Sequence, residues 1–96
     1  MIRVYNADKT INKNAIFNII KIIIEEKKVK SDKELATYLK YILNKLGLNV
    51  YIVYCAGDTQ KYTIKIASKF VVFEKEQAKF IVESLKENRK QKEESK

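Results

Sequence analysis

The sequence predicts a small α+β domain in which an antiparallel sheet packs against helices, in the order β-α-α-β-β-β-α. Three patterns lead to this prediction: polar residues recur every three or four positions in residues 12–28, a helix-start signal follows at Ser31, and side chains alternate around Gly57. The chain has 96 residues, of which 46% are hydrophobic, which is enough for one domain with a core. We expect residues 1–86 to form that domain and residues 87–96 to be a charged, frayed tail.

The first two predicted elements are a short strand and a long helix. Residues 2–5 alternate in polarity, which indicates a strand, and residues 6–9 are typical of a turn. Residues 12–28 are rich in Ile, which favours a strand by propensity. Their polar positions instead follow a helical repeat, and we weigh this pattern above propensity because packing often overrides propensity. These polar positions are Asn14, Asn18, Lys21, Glu25 and Lys28.

The second helix has clear start and stop signals. Ser31 is followed three positions later by Glu34, the spacing of a capping box in which each side chain bonds a free backbone N–H group. Gly47 is suited to a left-handed helix end. Between them an apolar stripe has helical spacing, formed by Leu35, Ala36, Leu39, Ile42, Leu43 and Leu46.

From Leu48 the repeat changes to two, which predicts strands at residues 49–56 and 59–66. A type II′ turn at Gly57-Asp58 would join them and would place Cys55 opposite Gln60. The first strand is then apolar on both sides, with Tyr51, Val53 and Cys55 on one side and Val50, Ile52 and Tyr54 on the other.

The last two predicted elements are a third strand at residues 69–73 and a final helix. Acidic residues at Glu74 and Glu76 open the helix, as the helix dipole prefers. Its apolar stripe consists of Ala78, Ile81, Val82 and Leu85.

The chain is strongly basic, with 20 Lys and Arg against 12 Asp and Glu and a net charge of +8. This excess favours an anionic partner such as nucleic acid. Arg3 and Arg89 are the only arginines, so the excess is almost entirely lysine. Because arginine is the preferred reader of base edges, we expect contacts to the backbone of DNA or RNA with low sequence specificity.

Two groups of lysines and two tyrosines form the predicted nucleic-acid-binding set. One group lies between the first two helices and the other along the second hairpin strand, where tyrosine rings could stack on unpaired bases. The set consists of Lys27, Lys28, Lys30, Lys61, Lys65, Lys69, Tyr54 and Tyr62. The alternative for each lysine is an ordinary solvated surface.

A homodimeric protein-interaction module is the competing prediction, as an adaptor or as an inhibitor of a larger nucleic-acid enzyme. A domain of this size has a marginal core and spare apolar surface, so we expect a homodimer under either prediction. The predicted interface residues are Tyr38, Tyr41, Val50 and Ile52. Exposure of the Ile52 side of the sheet would favour this alternative, and a helix covering that side would remove its basis.

The sequence offers few groups for catalysis. It has no His, the residue most often used for proton transfer near neutral pH. Cys55 falls on an apolar strand face, as a buried structural thiol would. Asp8 and Asp58 both lie in predicted turns, and nothing in the sequence brings them together. We therefore expect a non-catalytic protein without a metal site or cofactor.

The sequence also favours a cytoplasmic protein with no membrane partner. A single cysteine suits a reducing compartment. Residues 1–6 contain no apolar signal-peptide segment. The apolar run from Ile16 to Ile24 is interrupted by Asn18 and Lys21, and it is much shorter than the roughly 20 residues that span a bilayer.

Part of the chain resembles a double-stranded-RNA-binding domain. Residues 31–85 have that family's α-β-β-β-α order and length, and residues 75–79 (Lys-Glu-Gln-Ala-Lys) are similar to the basic start of its second helix. The family's Gly-Pro-x-His loop is absent, and Glu76 interrupts its usual lysine pair. The resemblance therefore implies an arrangement of elements and assigns no residue a role.

Overall fold

A computed structural model of the chain describes residues 11–94, with side chains described for residues 11–90. In this part the elements follow the order α-α-β-β-β-α, which confirms the α+β class and the antiparallel sheet. The elements are α1 (Lys13–Lys27), α2 (Asp32–Lys45), β1 (Val53–Gly57), β2 (Lys61–Ile66), β3 (Lys69–Glu74) and α3 (Glu76–Glu94). The strand predicted at residues 2–5 lies outside the described residues.

The segment with conflicting signals forms a helix, α1, so the prediction from its polar repeat is confirmed. The Asn12 side chain accepts a hydrogen bond from the Ala15 N–H at 3.1 Å, which caps the first turn. Lys28 adopts the left-handed conformation at the other end, with φ of 51°. The Ile residues face the core except Ile22, which is exposed on the polar side.

The second helix begins as predicted. The Ser31 hydroxyl accepts a hydrogen bond from the Glu34 N–H at 3.1 Å. The Glu34 carboxylate accepts from the N–H of Lys30, one residue before the cap residue. Gly47 follows the helix with φ of +88°, as expected of a glycine at a left-handed helix end. Together these contacts fix the direction in which the chain enters and leaves α2.

The link between α2 and β1 is held by one side chain. Asn44 donates from Nδ2 to the carbonyl of Val50 at 2.9 Å and accepts from the N–H of Val50 at 2.5 Å. Because both backbone groups of Val50 bond to this side chain, they are unavailable for strand pairing. This explains why β1 begins at Val53 although a strand was predicted from residue 49.

The hairpin turn lies two residues later than predicted. The Asp58 carboxylate accepts from the N–H groups of Gln60 and Lys61 at 2.9 and 3.1 Å, which organises a turn centred on residues 59–60. These two donors lower the pKa of the Asp58 carboxyl. Cys55 therefore pairs with Ile64 rather than with Gln60. The register moves by four residues, an even number, so each side chain within β1 and β2 stays on its predicted face.

The three helices pack on one side of the sheet, whose strands are ordered β1-β2-β3. Helix α2 lies against β1, α3 lies against β2 and β3, and α1 packs on both helices. The inward-facing residues Tyr62, Ile64 and Phe73 are completely buried. Phe17 of α1 reaches Phe73, with 5.5 Å between the ring centroids. The core is therefore continuous from α1 to the inner face of the sheet.

Helix α3 continues past residue 86 into the segment for which a frayed tail is predicted. It extends to Glu94, and Asn88 is buried. Asn88 donates from Nδ2 to the carbonyl of Val29 at 2.9 Å, in the connection between α1 and α2. Arg89 donates to the carbonyl of Lys30. These polar contacts hold α3 against the connection between α1 and α2 beyond Leu85, where the apolar stripe ends.

We expect Gly57→Ala to unfold the domain more readily than Gly47→Ala. Gly57 has φ of +151°, and an added Cβ would lie 2.5 Å from the Cα of Tyr62. Gly47 has φ of +88°, but a Cβ there would meet nothing within 4 Å. We predict a loss of about 3 kcal/mol for Gly57→Ala, from strain plus overlap, and about 1 kcal/mol for Gly47→Ala, from strain alone. Urea unfolding followed by circular dichroism measures both, and equal losses would contradict the close approach at Gly57.

Candidate nucleic-acid interface

Among the elements that the structure describes, no helix packs on the outer face of the sheet, which carries aromatic and basic side chains. Tyr54 of β1, Lys65 of β2 and Phe70 of β3 are direct cross-strand partners, so they form one row across all three strands. Tyr54 is 68% exposed and Phe70 is 64% exposed. Alternation along each strand turns their neighbours Cys55 and Val71 inward, where both are buried.

The positive charge of this row lies between its two rings. The Nζ atom of Lys65 is 5.8 Å from the centroid of the Phe70 ring, within the range of a cation–π contact. Lys61 lies on the same face, closer to the hairpin turn, and is opposite Glu74 of β3. Ile52, just before β1, continues the face at its other end and is 58% exposed.

We call Ile52, Tyr54, Lys61, Lys65 and Phe70 the open face. A second row, Ala56, Thr63 and Val72, lies between Lys61 and the aromatic row. This surface therefore combines rings for stacking, cations for phosphate and small side chains between them.

Three residues of the predicted nucleic-acid-binding set meet on the open face: Tyr54, Lys61 and Lys65. Tyr62 does not, because it faces the core and is 0% exposed. Its hydroxyl donates to the Asp32 carboxylate at 2.6 Å, which ties β2 to the start of α2. Burial, with this bond to a carboxylate, raises the pKa of Tyr62. The Tyr62 ring is therefore unavailable for stacking on a base.

The remaining predicted lysines lie elsewhere. Lys69 is exposed, but strand alternation directs it to the side of the sheet opposite Lys65. Lys27, Lys28 and Lys30 lie where α1 ends and α2 begins. The Nζ atom of Lys30 donates to the carbonyl of Lys28 at 3.2 Å, so this ammonium group is already hydrogen-bonded within the local turn. The two predicted lysine groups thus do not converge on one surface.

The predicted interface residues also separate. Val50 is 3% exposed, so it belongs to the core. Tyr38 is half-buried beside Lys27. Tyr41 is exposed on α2, where the Nζ atom of Lys45 lies 5.4 Å from its ring centroid. Ile52 alone among the four shares the open face with Tyr54.

Phe70 is the open-face residue that sequence reasoning missed. It lies in the run Phe70-Val71-Val72-Phe73, which is apolar at every position and gives no period-two signal. Only pairing with β2 shows that Phe73 is opposite the buried Tyr62 while Phe70 is opposite Lys65.

Cys55 is a buried thiol next to the Tyr62 side chain. Desolvation, followed by the nearby negative charge of Asp32, raises the pKa of Cys55 to about 12. At neutral pH the group is therefore a protonated thiol, which is a poor nucleophile. Residues 11–90 contain no group of three or more His, Cys, Asp and Glu side chains placed to hold a metal ion.

Comparison with known proteins identifies no relative: no protein-family model, no curated protein and no solved structure matches the chain. Within the described residues, no helix has the length and apolar character needed to cross a membrane.

We expect Cys55 to react slowly with Ellman's reagent in the folded protein. At pH 8 a thiol of pKa about 12 has roughly 1,000-fold less thiolate than one at the usual value of 9.0. The reaction should therefore be at least about 100-fold slower in buffer than in 6 M guanidinium. Absorbance at 412 nm follows the reaction, with Cys55→Ser as the unreactive control, and rates within tenfold of each other would contradict the burial of the thiol.

Proposed function

We propose that this protein binds single-stranded nucleic acid on the open face of its sheet. The observation that supports this most directly is the row Tyr54, Lys65 and Phe70, in which two exposed rings flank a lysine on an uncovered face. Proteins that bind single strands combine aromatic stacking surfaces with cations that follow the phosphate backbone. The net charge of +8 favours the same class of partner.

The spacing of the row suits adjacent nucleotides. Neighbouring strands lie about 4.8 Å apart, so Tyr54 and Phe70, two strands apart, are separated by about 10 Å. That separation fits bases that have left their stack and lie on two separate rings. Lys65 lies between the rings and would contact the phosphate that links the two nucleotides. Lys61 would contact a phosphate towards the hairpin turn.

Single strands fit this surface better than duplexes because the bases of a duplex are already stacked on one another. Exposed rings are useful only to a base whose face is free. The open face contains lysines and no arginine, so it lacks the fork of donors that reads base edges. We therefore propose binding that depends on stacking and phosphate charge and has low sequence specificity.

The test uses fluorescence anisotropy with labelled 12-nucleotide oligo(dT) and oligo(rU) at low salt. We expect Tyr54→Ala and Phe70→Ala each to weaken binding about tenfold or more, because a stacked base contributes roughly 1–3 kcal/mol. Lys65→Ala should reduce the slope of log K against log salt by about 0.7, the value for one phosphate contact on a single strand.

Tyr41→Ala is the matched control, because Tyr41 is also exposed beside a lysine but lies on α2. It should leave the affinity unchanged. Equal effects at Tyr41 and Tyr54, or no binding at 20 mM salt, would overturn the proposal. Blunt duplex of the same length should bind more weakly, since only phosphate contacts are available to it.

A protein interface on the same face is the second candidate, favoured by the exposure of Ile52. This is the condition under which the sequence favoured a homodimeric interaction module. Val72 and Thr63 add half-buried surface beside it. Under this alternative, sedimentation equilibrium at 50 μM should give a dimer, and Ile52→Glu should give a monomer. A wild-type monomer would count against self-association, and Ile52→Glu should leave a well-folded protein because the side chain is exposed.

A further inference from the structure

Within residues 11–94, strand β1 pairs with β2 on one edge and with no strand on the other. Two hydrogen bonds show which backbone groups of β1 face β2: Asp58 N–H donates to the Lys61 carbonyl, and Ala67 N–H donates to the Ile52 carbonyl. In this register the even-numbered residues of β1 pair with β2. By alternation, the N–H and C=O groups of Val53, Cys55 and Gly57 point away from β2. Among the described residues, nothing bonds to these groups.

Strand β1 lacks the features that usually protect an exposed sheet edge. Exposed edges are normally blocked by charged side chains, prolines or bulges, because unpaired backbone groups attract other strands. Strand β1 reads Val-Tyr-Cys-Ala-Gly and has no charge and no proline, and its ladder with β2 is regular from residue 53 to residue 57. An edge of this kind is suited to pairing with another extended segment.

A groove runs between this edge and helix α2. Its helix side consists of Asp32, Lys33, Ala36, Thr37 and Lys40, and its strand side consists of residues 51–55. The Asp32 carboxylate already accepts a hydrogen bond from the Tyr62 hydroxyl. Ala36 and Val53 are half-buried and form an apolar floor, whereas Lys33 and Lys40 are exposed at the rim. We call Lys33, Ala36, Lys40 and Val53 the β1 groove.

We propose that the β1 groove binds an extended acidic peptide from a partner protein, which adds to β1 as a fourth strand. The peptide backbone would pair with the free N–H and C=O groups of Val53, Cys55 and Gly57. Carboxylates of the peptide would pair with Lys33 and Lys40 at the rim. This is a separate activity from nucleic-acid binding, on a different surface that shares Tyr54 at its border.

Two occupants fit the groove less well. A second copy paired through β1 would bring two α2 helices together, so Lys33 and Lys40 of one protomer would face the same lysines of its partner. Like charges in that position oppose association. A nucleic-acid strand would suit the lysines, but its backbone has no repeating N–H groups to match the free carbonyls of β1. An acidic peptide satisfies both the charge and the hydrogen bonds.

The geometry also limits the spacing of the carboxylates. Lys33 and Lys40 are seven positions apart on α2, or about 10 Å along the helix axis. Side chains on one face of a strand recur about every 7 Å. Acidic residues two positions apart on the peptide would therefore be slightly closer together than the two lysines, and acidic residues four positions apart would be slightly farther apart.

The test uses a fluorescein-labelled nonapeptide in which Glu and Val alternate, with hydrogen exchange read by NMR on ¹⁵N-labelled protein. In the free protein we expect the amides of Val53, Cys55 and Gly57 to exchange rapidly. Peptide should slow them at least about tenfold, whereas the amides of Tyr54 and Ala56, already bonded to β2, should change little. The same peptide with alternate backbone nitrogens methylated should bind at least about tenfold more weakly.

Two matched double variants test the rim charges. Each reverses the charge of two lysines that are seven positions apart on one helix, α2 in the test variant and α3 in the control. Lys33→Glu with Lys40→Glu should weaken peptide binding at least about tenfold. Lys79→Glu with Lys86→Glu changes the net charge equally on exposed positions of α3 and should have no effect. No slowing of exchange at 1 mM peptide would overturn the proposal. So would equal effects of the two pairs, or amides at Val53 and Cys55 that are already protected, whether by a dimer partner or by another part of this chain.

Discussion

The structure depends on one constraint: the three helices pack on one side of a three-stranded sheet. Strand alternation then divides the side chains into two sets with different environments. Tyr62 and Phe73 enter the core, while Tyr54 and Phe70 stay in solvent. The same division separates the residues that stabilise the domain from those that could meet a partner. Any element packed over the outer face would remove the surface on which the proposed function depends.

Side chains that bond to backbone groups determine where the elements meet. Asn44 occupies both backbone groups of Val50 and so delays the start of β1. Asp58 organises the turn that sets the hairpin register. Asn88 satisfies the carbonyl of Val29 between α1 and α2 and extends the packing of α3. The Asn44 and Asn88 contacts satisfy backbone groups that burial would otherwise leave unpaired, at a cost of about 1–3 kcal/mol each, whereas the Asp58 contacts are exposed to water.

Local signals predicted the elements well where they were strong. The capping residues at Ser31 and Glu34 and the polar repeat of α1 involve contacts within one or two turns of the chain, so sequence spacing contains the information. The predicted hairpin register is wrong. Gly57 and Asp58 both favour turns, and the sequence alone does not show which position each takes in the turn. The candidate site was therefore only partly predictable. Tyr54 and Lys65 share a face whichever turn forms, but their direct pairing depends on the register.

The sequence by itself determined the α+β class, the two-residue alternation of the hairpin and the excess of lysine. All three follow from composition or from spacing along a few residues. Only the tertiary structure decided that Phe70 faces solvent while Phe73 is buried, and that the two lysine groups lie apart. It also decided that one edge of β1 has no partner strand in the described part of the chain. These outcomes depend on which strand pairs with which and on where the helices pack. Contacts between distant residues set both, and no local pattern in the chain records them.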